Sequence, residues 1–302
     1  MELTILGSNS ATPIFNRHPT AQVLSLHNNL YLIDCGEATQ MQLMRYKVKM
    51  SRISCIFISH LHGDHYLGLT GLLFTMHLNG RTQELHLFAQ QELMDILELQ
   101  FRLSATVLRF NLIFHPLRHY SSQIIFEDQS VKVKSIIMNH RIPCAGFVFT
   151  SKPVKGNLII EKLRKYNVPV ELYNRIKEGD DFVTETGELI PSSEFCLSPS
   201  DAVSYAFCSD TRYSESILPD ISRVDLLYHE ATFLHDMAER AEATFHTTAR
   251  QAAQIAVKAS VKKLLIGHFS ARYRDLEPLL KEARSVFSNT ELAIEGLTFK
   301  VG

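Results

Sequence analysis

The sequence predicts a layered α/β domain, and three observations support that prediction. Short segments rich in Val, Ile, Leu and Phe alternate with stretches in which apolar residues recur every three or four positions. The composition, 45% hydrophobic and 21% charged, is that of an ordinary globular protein. The length of 302 residues suffices for one large domain or two modest ones with a buried core. Strands mixed with helices in this order are typical of layered α/β folds.

The predicted strands are short, apolar and bounded by turn residues, as strands of a buried sheet are. Amphipathic stretches between several of them predict helices, and the second half of the chain repeats this style. The predicted strands cover residues 3–6, 23–26, 30–34, 55–59, 85–88, 131–138 and 147–150; the amphipathic stretches cover 37–46, 66–78 and 90–103, and the second half continues with 247–259, 264–266 and 275–287.

Charge, hydropathy and cysteine content exclude several classes of protein. Lys and Arg number 31 and Asp and Glu 32, so the net charge of -1 excludes polyanion binding by a general basic surface, although a local basic patch stays open. Five cysteines without a C-x-x-C pair predict reduced thiols. The longest uncharged hydrophobic run, 66–80, is too short to span a bilayer, and no signal peptide precedes the first strand. We therefore expect a cytoplasmic protein.

One segment differs from the rest in charge. Residues 152–177 contain seven basic side chains against two acidic ones, and residues 178–194 contain six acidic side chains and no Lys or Arg. This pattern predicts an insertion between two strand-rich halves, and a solvated surface hairpin without a partner explains it equally well. The basic residues are Lys152, Lys155, Lys162, Arg164, Lys165, Arg175 and Lys177.

The strongest chemical signal is a run of four potential metal ligands directly after a predicted strand. His60 and His62 point to the same side while the chain is extended, because side chains alternate along a strand. Gly63 then allows a tight turn that brings Asp64 and His65 to a second point nearby. The run can therefore serve two metal ions. Imidazole and carboxylate groups without thiolate suit zinc, with manganese or iron as substitutes.

Three further candidates stand at the ends of predicted strands elsewhere in the chain. They are His140, Asp210 and His268. Each alone is more simply explained as a turn or cap residue. Taken with the histidine run, they form a set that converges at strand ends, where active sites of open α/β sheets lie.

The H-x-H-x-D-H run at residues 60–65 resembles the hallmark of the metallo-β-lactamase superfamily, and the other motifs resemble those of its ribonuclease Z family. The discriminating part is His229-Glu230-Ala-Thr followed by His246-Thr-Thr. This resemblance implies a four-layer αββα sandwich with a protruding arm, and a nuclease that removes the 3′ trailer of precursor tRNA. The matching segments are 3–7, 34–40, 60–65, 139–140, 209–212, 229–232, 246–249 and 267–273.

The resemblance also assigns metal ligands and a domain plan. It implies two zinc ions per subunit, with Mn²⁺ as a substitute, in a single domain of residues 1–302 that carries an inserted tRNA-binding arm at 152–194. It further suggests a homodimer. One metal is then held by His60, His62 and His140, the other by Asp64, His65 and His268, and Asp210 bridges the two.

Phosphodiester hydrolysis also needs proton transfer. Asp64 is the expected acceptor for the proton of the attacking water, and the resemblance assigns Glu230 and His246 to proton donation at the leaving oxygen. Ser270 and Arg272 are candidates for contact with a phosphate or the RNA 3′ end. His229 is either a site residue or a packed histidine at a strand end.

Two other functions remain open at this stage. The first is a dinuclear enzyme that acts on small phosphodiesters, which needs most of the same residues. A lactamase or thioesterase is disfavoured, because it needs neither the Glu230–His246 pair nor a basic arm. A metal-stabilised RNA-binding protein without nuclease activity is the second alternative, although it has no use for a complete set of proton-transfer groups.

Overall fold

The computed structural model describes residues 1–118, 120–153, 156–197 and 201–302. The chain divides into two compact units, residues 1–150 with 203–302 and residues 151–202. The first unit contains two seven-stranded sheets among the described residues. None of the helices in the described part combines the length and apolar character that crossing a lipid bilayer requires.

The first sheet is built almost entirely from the first third of the chain. Its strands pair in the order β16-β1-β2-β3-β4-β5-β6, and the pairs from β3 to β6 are parallel. The strands are β1 (Glu2–Gly7), β2 (Ala21–Leu26), β3 (Asn29–Ile33), β4 (Ile53–Phe57), β5 (Leu85–Ala89), β6 (Leu112–Pro116) and β16 (Thr298–Lys300).

The second sheet pairs its strands in the order β15-β14-β13-β12-β9-β8-β7. The pairs from β12 to β15 are parallel, and β9 is antiparallel to β12. The strands are β7 (Gln123–Glu127), β8 (Val131–Ile137), β9 (Ala145–Ser151), β12 (Ser204–Cys208), β13 (Leu226–Glu230), β14 (Lys263–Gly267) and β15 (Thr290–Leu292).

Helices cover the outer face of each sheet. An apolar cluster packs α1, α3 and α4 on the first sheet, and another packs α8, α10 and α11 on the second. The helices of this unit are α1 (Thr39–Arg45), α2 (Gly63–Tyr66), α3 (Leu69–Leu78), α4 (Gln91–Leu103), α8 (Leu218–Ile221), α9 (Ala238–Thr244), α10 (Ala249–Lys258) and α11 (Glu277–Arg284).

The largest side chains of the core lie between the two sheets. Phe57 and Phe88 of the first sheet stack at 4.7 Å between ring centroids, and Phe147 of the second sheet lies 5.4 Å from Phe57. Sheets that face each other across such a core, with helices outside, form four layers. The predicted αββα sandwich is confirmed.

The unit of residues 151–202 has its own small core. Leu163, Ile176 and Phe195 are buried together there with neighbouring apolar residues. Its elements are α5 (Ile160–Lys165), α6 (Tyr173–Glu178), β10 (Phe182–Val183), β11 (Leu189–Ile190) and α7 (Ser192–Phe195).

Most predicted segments match observed strands or helices to within a few residues, but the edge strands of both sheets, β6 and β16 in the first and β7 and β15 in the second, were missed. β6 and β7 each contain only three consecutive apolar residues, and β15 and β16 are three residues long, so these runs are too short to mark a strand in sequence. The predicted helix at 66–78 is also divided, because a single helical turn, α2, precedes α3.

Candidate metal centre

The histidine run leaves β4 in an extended conformation and then enters α2. His62 is the N-cap of α2 with extended backbone, so Asp64 and His65 lie in its single turn. The sequence predicted only a tight turn at Gly63. A helical turn has the same effect on direction, because it carries Asp64 and His65 away from the line of His60 and His62.

A first group of side chains gathers around His62. Its Nδ1 lies 3.0 Å from Nε2 of His60 and 3.1 Å from Nε2 of His140, which follows β8. Asp210, after β12, completes the group, and its four ligand atoms lie within 4.8 Å of one another. Nitrogen ligands of a tetrahedral zinc ion stand ~3.4 Å apart, because each Zn–N bond is ~2.1 Å. The spacing therefore fits a metal ion.

A second group consists of Asp64, His65 and His268. Oδ2 of Asp64 lies 3.5 Å from Nε2 of His65 and 3.4 Å from Nε2 of His268. His268 follows β14 with a φ of 58°, a left-handed conformation that is uncommon for residues other than glycine. The preceding Gly267 has no room for a Cβ, which would collide with the ring of Tyr228.

Asp210 lies between the two groups and offers one carboxylate oxygen to each. Oδ2 is 3.6 Å from Nε2 of His60 and 3.9 Å from Nε2 of His140. Oδ1 is 3.5 Å from Nε2 of His65 and 3.2 Å from Nε2 of His268. This is the arrangement expected of a carboxylate that bridges two cations.

Two buried atoms at this centre, Nε2 of His65 and Oδ1 of Asp210, have ion-pair contacts but no well-directed hydrogen bond among the described residues. An unsatisfied buried polar atom is costly, and two that face one another need an explanation. A cation coordinated by both supplies it. The donor set therefore fits divalent metal on chemistry as well as on spacing.

The outward-facing nitrogens of the histidines are held by hydrogen bonds. Nδ1 of His65 lies 2.7 Å from Oδ2 of the buried Asp34, and Nδ1 of His140 lies 3.0 Å from the carbonyl oxygen of Phe245. Nδ1 of His60 contacts Oγ of Ser59 at 3.0 Å. Such partners fix the ring orientation and the tautomer that leaves Nε2 available to a metal.

Burial and charge divide the histidines into two electrostatic classes. Burial lowers the pKa of His60, His62 and His140, so these imidazoles are neutral, as ligands must be. Burial also disfavours charge on His65, yet Asp210, Asp64 and Asp34 outweigh it and raise the His65 pKa. The second group therefore attracts positive charge, and a metal ion would replace the proton.

Glu230 and His246 form a buried ion pair beside the centre. Oε1 of Glu230 lies 2.9 Å from Nδ1 of His246, and the backbone N–H groups of Thr211 and Thr232 donate to the same carboxylate at 3.1 Å each. Burial opposes charge on the imidazole, but Glu230 prevails and raises the pKa of His246 to about 9. Hence His246 is protonated at neutral pH.

Arg212 and Phe245 hold the loop that carries His246. The Cζ atom of Arg212 lies 3.7 Å from the centroid of the Phe245 ring, and Nη1 of Arg212 pairs with Oε1 of Glu242 at 2.8 Å. Phe245 has a φ of 61° and directs its carbonyl to His140. One side chain thus braces the segment that contacts His140 and carries His246.

A pocket of about 470 Å³ opens onto the centre. Ser270 and Arg272, which the sequence proposed for phosphate contact, both line it. So do Arg141 and Arg240, which sequence reasoning did not select. Arg141 directly follows a metal-ligand candidate, and that adjacency was the available signal.

The predicted basic residues of the insertion belong to the unit of residues 151–202. Lys162 pairs with Glu194 at 2.9 Å, and Arg175 pairs with Asp180 at 2.8 Å. Arg164 and Lys165 are exposed and Lys177 is half-buried. Lys155 lies outside the described residues.

Sequence reasoning also missed the residues that orient the ligands. Asp34 lies in one of the segments that carry the family resemblance, and Thr232 lies two residues after Glu230. The sequence assigned no role to either residue. Oγ1 of Thr232 donates to Oε2 of Glu230 at 2.7 Å and lies 2.9 Å from Nδ1 of His268, so it links the two sets of site residues. His229 is a buried histidine within β13, and its Nδ1 lies 2.7 Å from the carbonyl oxygen of Glu230.

Comparisons with known proteins give three kinds of match. A family model described as Anti-Pycsar protein Apyc1 matches residues 1–155. The chain is 46% identical over 296 residues to Ribonuclease Z of Bacteroides fragilis, covering 98% of this chain and 97% of that protein. It is 47% identical over 305 residues to Ribonuclease Z of Cytophaga hutchinsonii, covering 99% and 96%. The crystal structure of human tRNase Z, short form, superposes over 100% of both chains with a TM-score of 0.74 and 26% identity.

Proposed function

We propose that this chain is a metal-dependent endoribonuclease that removes the 3′ trailer of precursor tRNA. It belongs to the ribonuclease Z family, and its residues 1–155 also match the Apyc1 family model. The observation that carries the proposal is the position of Asp210 between two groups of ligands, with the Glu230–His246 pair beside them. This combination supplies both metal sites and an acid for the leaving group.

We propose that the metal is zinc, with two ions per subunit and Mn²⁺ as a substitute. His60, His62 and His140 would hold one ion and Asp64, His65 and His268 the other, with Asp210 shared. Bound ions of this kind lower the pKa of a water molecule and neutralise charge on phosphoryl oxygens. The nitrogen and carboxylate donors, without thiolate, support zinc or manganese.

His246 is proposed to protonate the leaving oxygen. When water attacks phosphorus, the bond from phosphorus to the 3′ oxygen of the tRNA breaks, and that oxygen takes a proton from the imidazolium. The products are a tRNA with a 3′-hydroxyl and a trailer with a 5′-phosphate. Glu230 keeps His246 protonated before the reaction, and its negative charge favours uptake of a new proton from solvent by the neutral imidazole afterwards.

Asp64 is the proposed acceptor for the proton of the water. Burial raises the pKa of this carboxyl, but His65 and His268 outweigh it and hold the pKa well below its usual range, so Asp64 is ionised but a weak base and would pass the proton on to solvent rather than keep it. The backbone N–H of Ala11 donates to its Oδ2 at 2.7 Å and fixes its orientation. Ser270 and Arg272 line the pocket, which supports their proposed contact with the phosphates on either side of the cleaved linkage.

The unit of residues 151–202 is proposed as a second RNA-binding surface, an exosite within an otherwise single catalytic domain. Lys155, Lys162, Arg164, Lys165, Arg175 and Lys177 are the proposed contacts. The last turn of α5 contains three basic residues, and two of them, Arg164 and Lys165, are exposed. Positive charge of this kind binds phosphates without regard to base sequence.

We also propose a homodimer and a cytoplasmic location. Met41 and Met44 of α1 are 61% and 56% exposed, and neighbouring apolar side chains of this size on one helix are typical of a protein interface. Light scattering coupled to gel filtration tests the dimer, and the pair Met41→Lys with Met44→Lys should yield monomers. All cysteines are unpaired, as in a reducing compartment.

The deciding experiment is cleavage of an end-labelled precursor tRNA with a 3′ trailer, mapped to the nucleotide, with Zn²⁺ or Mn²⁺ and with a chelator. We expect a metal-dependent cut at the trailer junction. His246→Asn should prevent it, and His27→Asn serves as a matched control because His27 is exposed and Asn tolerates its φ of 53°.

Two outcomes would redirect the assignment. Hydrolysis of a chromogenic phosphodiester without cleavage of precursor tRNA would leave a dinuclear enzyme for small phosphodiesters. Binding of precursor tRNA that survives chelation, with no product under any metal condition, would leave an RNA-binding protein.

A further inference from the structure

Phe15 occupies the tip of a tight hairpin near the pocket. Ile14 and Arg17 pair antiparallel, and the N–H of each donates to the carbonyl of the other at 3.1 and 2.9 Å. Phe15 and Asn16 are therefore the two loop residues. Phe15 is 45% exposed, although a ring of this size gains more by burial. The hairpin presents an aromatic surface to solvent.

The backbone at this tip is unfavourable for phenylalanine. Phe15 and Asn16 have φ values of 55° and 59°, which is the pattern of a two-residue turn that favours Asn and Gly. Asn16 suits that conformation, whereas a bulky side chain at positive φ is strained. Strain of this kind clusters at functional sites, and here it serves to hold a ring in water rather than in a core.

Two arginines lie over the ring at cation–π distance and still leave it 45% exposed. The Cζ atoms of Arg17 and Arg274 lie 5.5 and 5.8 Å from the Phe15 centroid. Where an arginine is pressed onto a ring in this protein, at Phe245, the distance is 3.7 Å. Arg17 is held in place, because Nε donates to Oδ1 of Asn9 at 3.0 Å and Nη2 donates to the carbonyl of Tyr273 at 2.6 Å.

The hairpin is joined directly to the metal centre. Four residues before Phe15, the N–H of Ala11 donates to Oδ2 of Asp64, and the N–H of Ser10 donates to the carbonyl of Phe269 at 3.0 Å. Ser10 and Ala11 line the pocket together with Arg272. The backbone that lines the pocket at Ser10 and Ala11 therefore reaches the exposed ring of Phe15 within a few residues.

We propose that Phe15, flanked by Arg17 and Arg274, is a stacking site for an unpaired base of the RNA close to the cleaved linkage. Aromatic rings interspersed with arginine are how proteins bind single-stranded nucleic acid, because the ring stacks on a base while guanidinium groups meet the phosphates. An apolar protein segment would gain nothing from two cations at its contact. The inference rests on the proposed function, since it concerns the strand that passes through the same pocket.

The test combines ring variants with abasic RNA. Phe15→Asn removes the ring and suits a positive φ, whereas Phe15→Tyr keeps the ring. A precursor with a methylphosphonate at the scissile linkage allows the Kd of the holoenzyme to be measured without cleavage. We expect Phe15→Asn to weaken binding roughly 5- to 150-fold, with Phe15→Tyr close to the wild type. Hydrolysis of a chromogenic phosphodiester should be unchanged, and the Tm should hold or rise.

Abasic nucleotides placed one at a time around the linkage identify the stacked base. At that position the abasic substitution should weaken binding to the wild type by a similar factor and have little further effect on Phe15→Asn. His27→Asn, at another exposed position with positive φ, should behave as the wild type throughout. If the effects of Phe15→Asn and of the abasic nucleotide on Kd simply add at every position, the stacking site is overturned. A Tm of Phe15→Asn that falls together with its affinity for RNA would overturn it as well.

Failure of the proposed function would be visible separately. If the wild type does not cut an unmodified precursor tRNA, that assignment fails, and the stacking site is then judged on short single-stranded RNA with and without the abasic nucleotide. A difference between these RNAs that disappears in Phe15→Asn supports the site. If the intact and the abasic RNA have equal Kd values both for the wild type and for Phe15→Asn, the site is overturned. The exposed ring would then be tested as a contact for a protein ligand.

Discussion

The ligand cluster and the basic residues of unit 151–202 are held in opposite ways. His60 and Asp210 are buried, and the rings of the cluster are oriented by partners such as Asp34. Arg164 and Lys165 are exposed near the end of a short helix. The proposed metal centre would act through fixed geometry, where one atom matters, and the proposed RNA-binding surface through summed charge, where no single side chain is decisive.

Asp210→Asn should have the largest effect, because it removes negative charge that both ligand groups share. We expect loss of bound metal and a fall in the hydrolysis rate of about 10³-fold on every phosphodiester, including the chromogenic one. Elemental analysis of the purified protein and steady-state rates measure this. Asp236→Asn, at an exposed position, is the control. Full metal content in Asp210→Asn would show that the centre is less dependent on one carboxylate than its geometry indicates.

His246→Asn should lower kcat for precursor tRNA by roughly 10²–10⁴-fold, as loss of a general acid does. A chromogenic substrate with a nitrophenolate leaving group needs no protonation, so its rate should change little. The acid is active in its protonated form, hence wild-type kcat should fall as pH rises through about 9. Glu230→Gln removes the charge that raises this pKa and should move the fall to lower pH. A pH profile unchanged by Glu230→Gln would contradict the assignment.

Arg212→Ala should reduce kcat by about 10- to 100-fold while KM changes little, because the arginine braces the loop of His246 and touches no substrate. Arg212→Lys keeps the charge but loses the flat contact with Phe245 and should restore the rate only in part. A change confined to KM would instead place Arg212 among the RNA contacts.

The pair Arg164→Glu with Lys165→Glu should have the smallest effect per residue. We expect a higher KM for precursor tRNA, a salt dependence of binding reduced by roughly one unit of slope per lost phosphate contact, and an unchanged rate on the chromogenic substrate. The matched control is Lys132→Glu with Lys300→Glu, two exposed strand residues of the other unit. If both pairs raise KM equally, the charges of unit 151–202 have no special role.

The same difference explains what could be predicted from sequence. Four potential ligands stand within six residues at 60–65, so ordinary strand geometry was enough to predict two ligand groups. The carbonyl of Phe245 could not be predicted as a partner of His140, because any residue has a carbonyl and its direction depends on a left-handed backbone. Arg141 and Arg240 were missed because surface arginines are common, and only the fold shows which ones face a pocket.

The distribution of ligands along the chain also sets an order of assembly during synthesis. His60, His62, Asp64, His65 and His140 all leave the ribosome before Asp210, whose two oxygens serve both groups. His268 comes later still, directly after β14. A nascent chain therefore holds most of the proposed nitrogen donors but neither complete set of proposed ligands, and with this ligand set tight metal capture would wait until the second sheet has been translated and has packed on the first.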